Sequence, residues 1–353
     1  MKIAVALSGG VDSSVTLYLL KKAGHDVFGL FMKNWEEENA DGHCLSEKDY
    51  EDTQKVCQLL DVPYYGVNFA KQYWEQVFTH FLKEIQQGYT PNPDILCNRE
   101  IKFKVLFEKA KALGAEALAT GHYCQTQEGQ LFKGKDLEKD QSYFLYTIQQ
   151  KVLQEVLFPI GHLNKSNVRQ IAENAQLPIF NKKESMGICF IGKRNFREFI
   201  EKYIPHEKGP ILTVDGTEIG THDGIFYYTI GQRKGMGIGG AGEAWFVAKK
   251  DRERNALIVA QGEDHPSLFA TGLIATECSW VTYPPSFPFK CRAKVRYRQI
   301  EQPCTVEKSG DNLIVRFEQP QRAITPRQSV VFYLEDLCLG GAIIEQALSD
   351  HDF

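Results

Sequence analysis

The sequence predicts an α/β protein: a parallel-sheet N-terminal domain, a small β-rich central domain and a C-terminal β-barrel. Three observations carry this. Over residues 1–120, apolar strand-like runs alternate with helix-period patterns, which implies a parallel sheet with helices on both faces. A glycine loop, Ser8-Gly9-Gly10-Val11-Asp12-Ser13-Ser14, joins the first strand to the first helix. Near Pro205 the texture changes to glycine-rich sequence with short, evenly spaced β-type runs, as in a small barrel or sandwich. At roughly 150 residues per domain, 353 residues suit two or three domains. The boundaries are placed at 1–204, 205–270 and 271–353.

In chain order, Ile3–Leu7, Val27–Met32 and Tyr64–Asn68 read as buried strands. Ser13–Ala23, Glu47–Leu60 and Lys71–Gln87 read as helices beside them. A helical Lys102–Leu113 precedes a fourth strand, Ala115–Thr120. Helical patterns continue at Gln141–Leu157, Lys165–Gln176 and Asn195–Tyr203. Strand patterns follow at Phe226–Ile230, Ala244–Ala248 and Ala256–Ala260. They resume at Lys290–Arg298, Cys304–Glu307, Leu313–Phe317, Val330–Leu334 and Gly341–Glu345. Ser349–Phe353 reads as a loose tail.

Composition narrows the class. The chain is 43% apolar and 24% charged with a net charge of −4, so any nucleic-acid surface must be local. No apolar run reaches the ~20 residues of a membrane span, and the apolar start is too short for a signal peptide. A cytoplasmic setting is expected, where the nine cysteines stay reduced. None forms a Cys-x-x-Cys pair, which weakens metal-site readings, and no protein-held metal is expected. Cys44, Cys57, Cys124, Cys278, Cys291 and Cys304 read as structural.

The glycine loop is an anion cradle. Glycines let the backbone approach a phosphate, and the first free N–H groups of a helix point at it. The loop has no Gly-Lys-Ser/Thr ending and no Gly-x-Gly-x-x-Gly spacing. Ser-Gly-Gly-x-Asp-Ser after a first strand instead resembles the PP-loop of the ATP pyrophosphatases, which split ATP between the α and β phosphates. In open α/β sheets ligands bind beyond the carboxyl ends of the strands. The loop, Met32 at the end of the second strand, and Gly121-His122 after the fourth all fall there. Met32 also has a plain reading as a core residue, and His122 as a structural histidine.

Two thiols stand out. Cys97 follows Asn92-Pro93-Asp94, where the prolines Pro91 and Pro93 impose a stiff turn. A helix starting at Asp94 would put Asp94 and Cys97 on one side, one turn apart, with the helix N-terminus favouring the thiolate. Cys189 lies in Gly187-Ile188-Cys189-Phe190, an apolar setting that also suits a buried structural cysteine. In Lys290–Arg298 every second residue is basic, so a continuous strand would carry all five charges on one face, as a phosphate-backbone track or as a solvated edge.

Several motifs in order resemble the bacterial tRNA-specific 2-thiouridylases along essentially the whole chain. They are Ser8–Ser14, Asn92-Pro93-Asp94 with Cys97-Asn98, Thr120-Gly121-His122-Tyr123, Lys139-Asp140-Gln141-Ser142-Tyr143, Gly187-Ile188-Cys189-Phe190 and Tyr228–Gly235. The resemblance implies a PP-loop domain of the adenine nucleotide alpha hydrolase-like kind. It implies that Leu7, Ser8, Gly9, Gly10, Val11, Asp12, Ser13, Ser14, Met32 and Gly121 bind ATP, with Mg2+ on the phosphates. Asn92, Pro93 and Asp94 would meet the target base. His122, Lys139, Asp140, Gln141, Arg296, Tyr297 and Gln328 would touch tRNA.

The chemistry implied is adenylation of the wobble uridine C2 oxygen in the tRNAs for Lys, Glu and Gln, releasing pyrophosphate. Cys189 would carry persulfide sulfur from a cysteine desulfurase or a relay protein. That terminal sulfur, or hydrosulfide released from it, would displace AMP. Cys97 would close a transient disulfide with Cys189, and Asp94 is a plausible proton carrier. No membrane partner is implied. Two rivals remain at this level: an amide-forming ATP pyrophosphatase acting on a small molecule, and a non-catalytic nucleotide-sensing RNA binder. The first needs no thiol pair and the second no pyrophosphate release.

Overall fold

The computed structural model describes residues 1–35, 45–183, 195–349 and 352. Chain order opens with β1 (Lys2–Leu7), α1 (Val11–Lys22), β2 (Asp26–Lys33), α2 (Leu45–Leu59) and β3 (Tyr64–Asn68). Next come α3 (Ala70–Tyr73), a π-helical stretch Trp74–Phe78, α4 (Thr79–Gln86) and α5 (Pro93–Leu96). A second π-helical stretch, Cys97–Leu106, leads into α6 (Phe107–Ala112) and β4 (Ala117–Ala119). The hairpin β5 (Cys124–Gln127) and β6 (Gln130–Lys133) follows, then α7 (Gln150–Leu153), β7 (Val156–Leu157), α8 (Lys165–Asn174) and α9 (Phe196–Ile200).

Strands β3-β2-β1-β4-β7 form a parallel sheet in that order. The alternation of β1 divides the core. Ile3, Val5 and Leu7 pack with Val15 and Leu17 of α1, Val56 of α2 and Val168 of α8. Ala4 faces the other way, with Phe28 and Leu30 of β2, toward Phe78, Phe81, Ile101 and Leu106. Each large side chain so buried contributes about 1.5–3 kcal/mol, and helices on both faces explain why these strands read as continuous apolar runs.

The central unit is a four-stranded sheet of β8 (Gly209–Thr213), β9 (Glu218–His222), β10 (Trp245–Asp251) and β11 (Ala256–Gln261). The C-terminal unit comprises β12 (Phe269–Trp280), β13 (Phe289–Lys294), β14 (Gln302–Ser309), β15 (Asn312–Arg322), β16 (Ser329–Leu334) and β17 (Leu337–Leu348). Pairing of β12 with both β15 and β17 closes these strands into a barrel. Hairpin β5–β6 then adds to the barrel through β17, where Cys338 pairs with Leu131.

Two expected elements differ, one hairpin is added, and β3, expected to be buried, is the mostly exposed edge strand of the sheet. Gln141–Leu157 is not one helix: a 3-10 turn at Ser142–Phe144 and the short α7 precede strand β7. The carboxylate of buried Asp140 accepts from Ser142 N and Oγ. Tyr143 and Tyr146 are drawn into the barrel, where their hydroxyls meet Ser329 O and Oγ. Phe226–Ile230 is a 3-10 turn at Ile225–Tyr227, because Phe226 packs into the parallel-sheet core instead of alternating. Hairpin β5–β6 was not expected; both turn residues, Glu128 and Gly129, have positive φ (53° and 75°), as a tight hairpin turn requires.

Candidate active site

Register places the loop, Met32 and Gly121 at one edge. Leu7 pairs with Phe31 of β2, so Met32 stands beside Ser8. Val5 pairs with Ala119, so Gly121 lies level with Leu7. Strand order reverses at β1, between β2 and β4, and this crevice is where such sheets bind ligands. Gly121 must be glycine: a Cβ there would stand 2.8 Å from Asp12 C and Ser13 N. Gly9, with φ +69°, likewise presses on the Asp49 backbone of α2.

The loop is preorganised. Ser13 Oγ accepts from Ser8 N at 3.2 Å, and Ser14 Oγ donates to Gly10 O at 2.8 Å. No side chain caps α1, because its N-cap is Gly10, so its opening N–H groups face the crevice. Val11, Ser13 and Ser14 are buried, while Ser8 is exposed.

Two lysines surround this loop. Lys165 Nζ donates to both oxygens of Asp12, at 2.7 and 2.8 Å, and the Tyr123 hydroxyl donates to Oδ1 at 2.8 Å. Lys182 Nζ donates to Gly9 O at 3.0 Å, Asp49 Oδ1 at 2.8 Å and Asp52 Oδ2 at 2.6 Å. Burial pulls the Lys182 amine down, but its bonds to Asp49 and Asp52 outweigh this and leave it above the ordinary lysine value. Sequence reasoning missed both lysines. One signal was available for Lys165: it opens α8, where the helix dipole disfavours a cation, so another group must hold it.

The thiol helix meets the sheet's other face. Asn92 Oδ1 accepts from Asp94 N at 3.2 Å and Pro93 occupies the first turn, so Asp94 and Cys97 fall three apart in continuous helix, as expected. Cys97 is 1% exposed, packed with Ala4, Leu30 and Leu118. Next to it, buried Asn98 donates to Phe144 O at 3.2 Å, while its Oδ1 has no partner among the described residues. His122 bridges the two parts. Its Nδ1 lies 2.7 Å from Thr120 Oγ1, and its ring packs against Phe103 of the same helix. Burial holds His122 well below the usual imidazole range, with Lys102 adding to the effect. Cys189 and Cys44 lie outside the described residues.

The expected tRNA contacts fare unevenly. Asp140 is 2% exposed and spent internally, accepting from Gly134 N and Ser142 and facing Lys294 Nζ at 3.5 Å. This corrects its placement on an RNA surface. Gln141 clamps Tyr123 through two backbone contacts, while Lys139 stays partly exposed. The basic strand is also corrected. β13 ends at Lys294, and the chain turns where Gln299 N reaches Arg296 O. Lys290 and Arg292 are exposed, but Lys294 is buried beneath Asp140 and Tyr333. Arg296 is enclosed, donating to Ile230 O, Ala323 O and Thr325 Oγ1. Period-two alternation holds for Lys290 and Arg292; it could not show that Lys294 is covered or that the strand ends before Arg296. Tyr297 packs against Phe144 with centroids 4.4 Å apart and the rings tilted by 48°, and Gln328 Nε2 donates to Thr90 O at 2.6 Å.

Fold and loop together define a PP-loop enzyme with two appended β units. Residues 1–193 match the family model described as tRNA methyl transferase HUP domain. Residues 197–261 match a tRNA methyl transferase PRC-barrel domain, and 270–344 an aminomethyltransferase β-barrel domain. A tRNA-specific 2-thiouridylase of Protochlamydia amoebophila is 55% identical over 98% of this chain and 93% of its own length. That of Shouchella clausii is 53% identical over 98% and 96%, and that of Francisella tularensis 54% over 97% and 99%. The chain belongs to the tRNA-specific 2-thiouridylase family, whose members are tRNA sulfurtransferases. No helix among the described residues is long and apolar enough to cross a membrane.

Proposed function

We propose that this chain installs sulfur at C2 of the wobble uridine in the tRNAs for Lys, Glu and Gln. The reading is carried by one observation: the Ser8–Ser14 loop, Met32 and Gly121 converge at one carboxyl edge, with the Asp94/Cys97 helix packed against the same sheet. ATP would lie on the N-terminus of α1. Asp12, Asp49 and Asp52 are already paired with Lys165 and Lys182, and no metal-ligating cluster occurs among the described residues, so magnesium would ride on the ATP phosphates. Magnesium would neutralise phosphate charge there.

Asn92, Pro93 and Asp94 would seat the base so that uridine O2 attacks the α-phosphorus and pyrophosphate leaves. Adenylation is needed because the oxygen of an amide-like carbonyl is a poor leaving group. A persulfide on Cys189, loaded by a cysteine desulfurase or relay protein, would deliver sulfur to C2 either directly or as hydrosulfide, expelling AMP. Direct attack leaves Cys97 to release the product by forming a disulfide with Cys189, which a cytoplasmic reductant resets. Asp94 would hold or pass the proton. Lys139, His122 and Tyr297 remain proposed tRNA contacts, with exposed Lys290, Arg292 and Arg298 on the nearby barrel surface.

The test is incubation with ATP, magnesium, a persulfide donor and unmodified glutamate tRNA, followed by mass analysis of nucleosides. Appearance of 2-thiouridine is expected, and its loss in Cys97→Ser and Cys189→Ser with pyrophosphate release retained. Pyrophosphate release that is independent of tRNA, with no 2-thiouridine formed, would favour the amide-forming alternative.

A further inference from the structure

Gly88, Tyr89 and Thr90 join α4 to the proline turn that carries Asn92 and Asp94. Both β units reach this segment. From β10, Lys250 Nζ donates to Gly88 O at 3.0 Å and to Thr90 Oγ1 at 3.1 Å. From the barrel, Gln328 reaches Thr90 O. The Tyr89 ring lies against two guanidiniums, Arg252 of the central unit at 4.1 Å and Arg327 of the barrel at 5.4 Å. Arg327 is anchored by Glu84 of α4 at 3.5 Å and Glu277 of β12 at 3.2 Å.

Lys250 is half-buried, an unfavourable setting for a lysine. Its two hydrogen bonds go to uncharged oxygens, and burial beside Arg252 draws its amine down to about 7. Burying a lysine without a carboxylate opposes folding. Stability therefore does not account for it, whereas holding the segment does. The turn that follows is stiffened by Pro91 and Pro93, so a displacement at Thr90 carries through to Asp94.

We propose that Lys250, with Gln328, is a positioning residue: the two β units hold Gly88–Thr90 from outside the catalytic sheet and so set where Asn92 and Asp94 meet the base. This rests on the reading of Asn92–Asp94 as base-facing. A misplacement of about 1 Å can cost on the order of a hundredfold in rate. Lys250→Met keeps the stem and removes the donor; Gln328→Leu removes the donor from the opposite side, so a folding defect in one unit cannot mimic both. In the full chain, kcat for tRNA-dependent pyrophosphate release should fall about tenfold or more. The tRNA Kd and ATP KM should stay within about twofold, and amide exchange over residues 88–96 should quicken. Lys250→Arg should recover part of kcat. Unchanged kcat in Lys250→Met, or a loss confined to tRNA affinity, overturns the proposal. If the wild-type protein itself releases no pyrophosphate with tRNA, the functional reading fails instead. Amide exchange then decides alone, and unchanged exchange at 88–96 overturns the positioning role.

Discussion

Asp12 and Lys250 take their roles from residues far along the chain. Asp12 accepts from Lys165 and Tyr123, so its carboxylate is balanced before any nucleotide arrives. Asp12→Asn keeps the shape but removes the Asp12 charge from beside the largely buried Lys165. We expect tRNA-dependent pyrophosphate release to be abolished and stability to fall by about 1–3 kcal/mol, read from the denaturant midpoint. Normal release would remove the loop from ATP chemistry. Lys250 makes a pH prediction. Its amine falls from 10.5 to about 7 on folding, so between those values the unfolded chain binds a proton that the folded chain does not. The stability of the wild type relative to Lys250→Met should therefore rise as pH increases from about 7 toward 10.5. Parallel denaturation curves across that window would show that the amine is not buried. Nothing in the local sequence around Lys250 announces this, because its acceptors lie on α4's exit loop.

Elements show where local signals suffice and where they fail. The inner strands β1 and β2 were legible because burial on both faces writes itself as apolar runs, and the loop because its glycines answer a geometric need. Gly121 makes that need testable. Gly121→Ala would drive its Cβ into the Asp12–Ser13 backbone, so ATP KM should rise about tenfold or more, an order set by misplacement of the loop, while tRNA affinity holds. An unchanged KM would mean that the loop yields without consequence. The segment after Asp140 was misread because its periodicity is helical while its tyrosines are claimed by the barrel. Hairpin β5–β6 was missed because Glu-Gly is a weaker turn signal than Asn-Gly or Asp-Gly.

At the scale of the whole molecule, the β units are joined to the catalytic sheet through packing. Hairpin β5–β6 shares its sheet with β17, and Cys124, Leu131, Tyr143 and Tyr146 pack against Val331 and Tyr333 of the barrel. A chain truncated after residue 268 would expose this cluster. It should unfold at a lower temperature than the intact protein, by calorimetry, or fail to fold; an unchanged Tm for the parallel-sheet part would show that the units are independent. The sequence by itself determined the fold class, the phosphate loop and the Asp94/Cys97 helix, since each depends on residues within a turn or strand of one another. Only the tertiary structure decided which charges are free. Lys294, Arg296, Asp140 and Gln328 all carry RNA-like chemistry in the linear text, and all are engaged inside the protein. Whether a polar side chain meets solvent or another part of the chain depends on contacts between distant segments, which local periodicity does not encode.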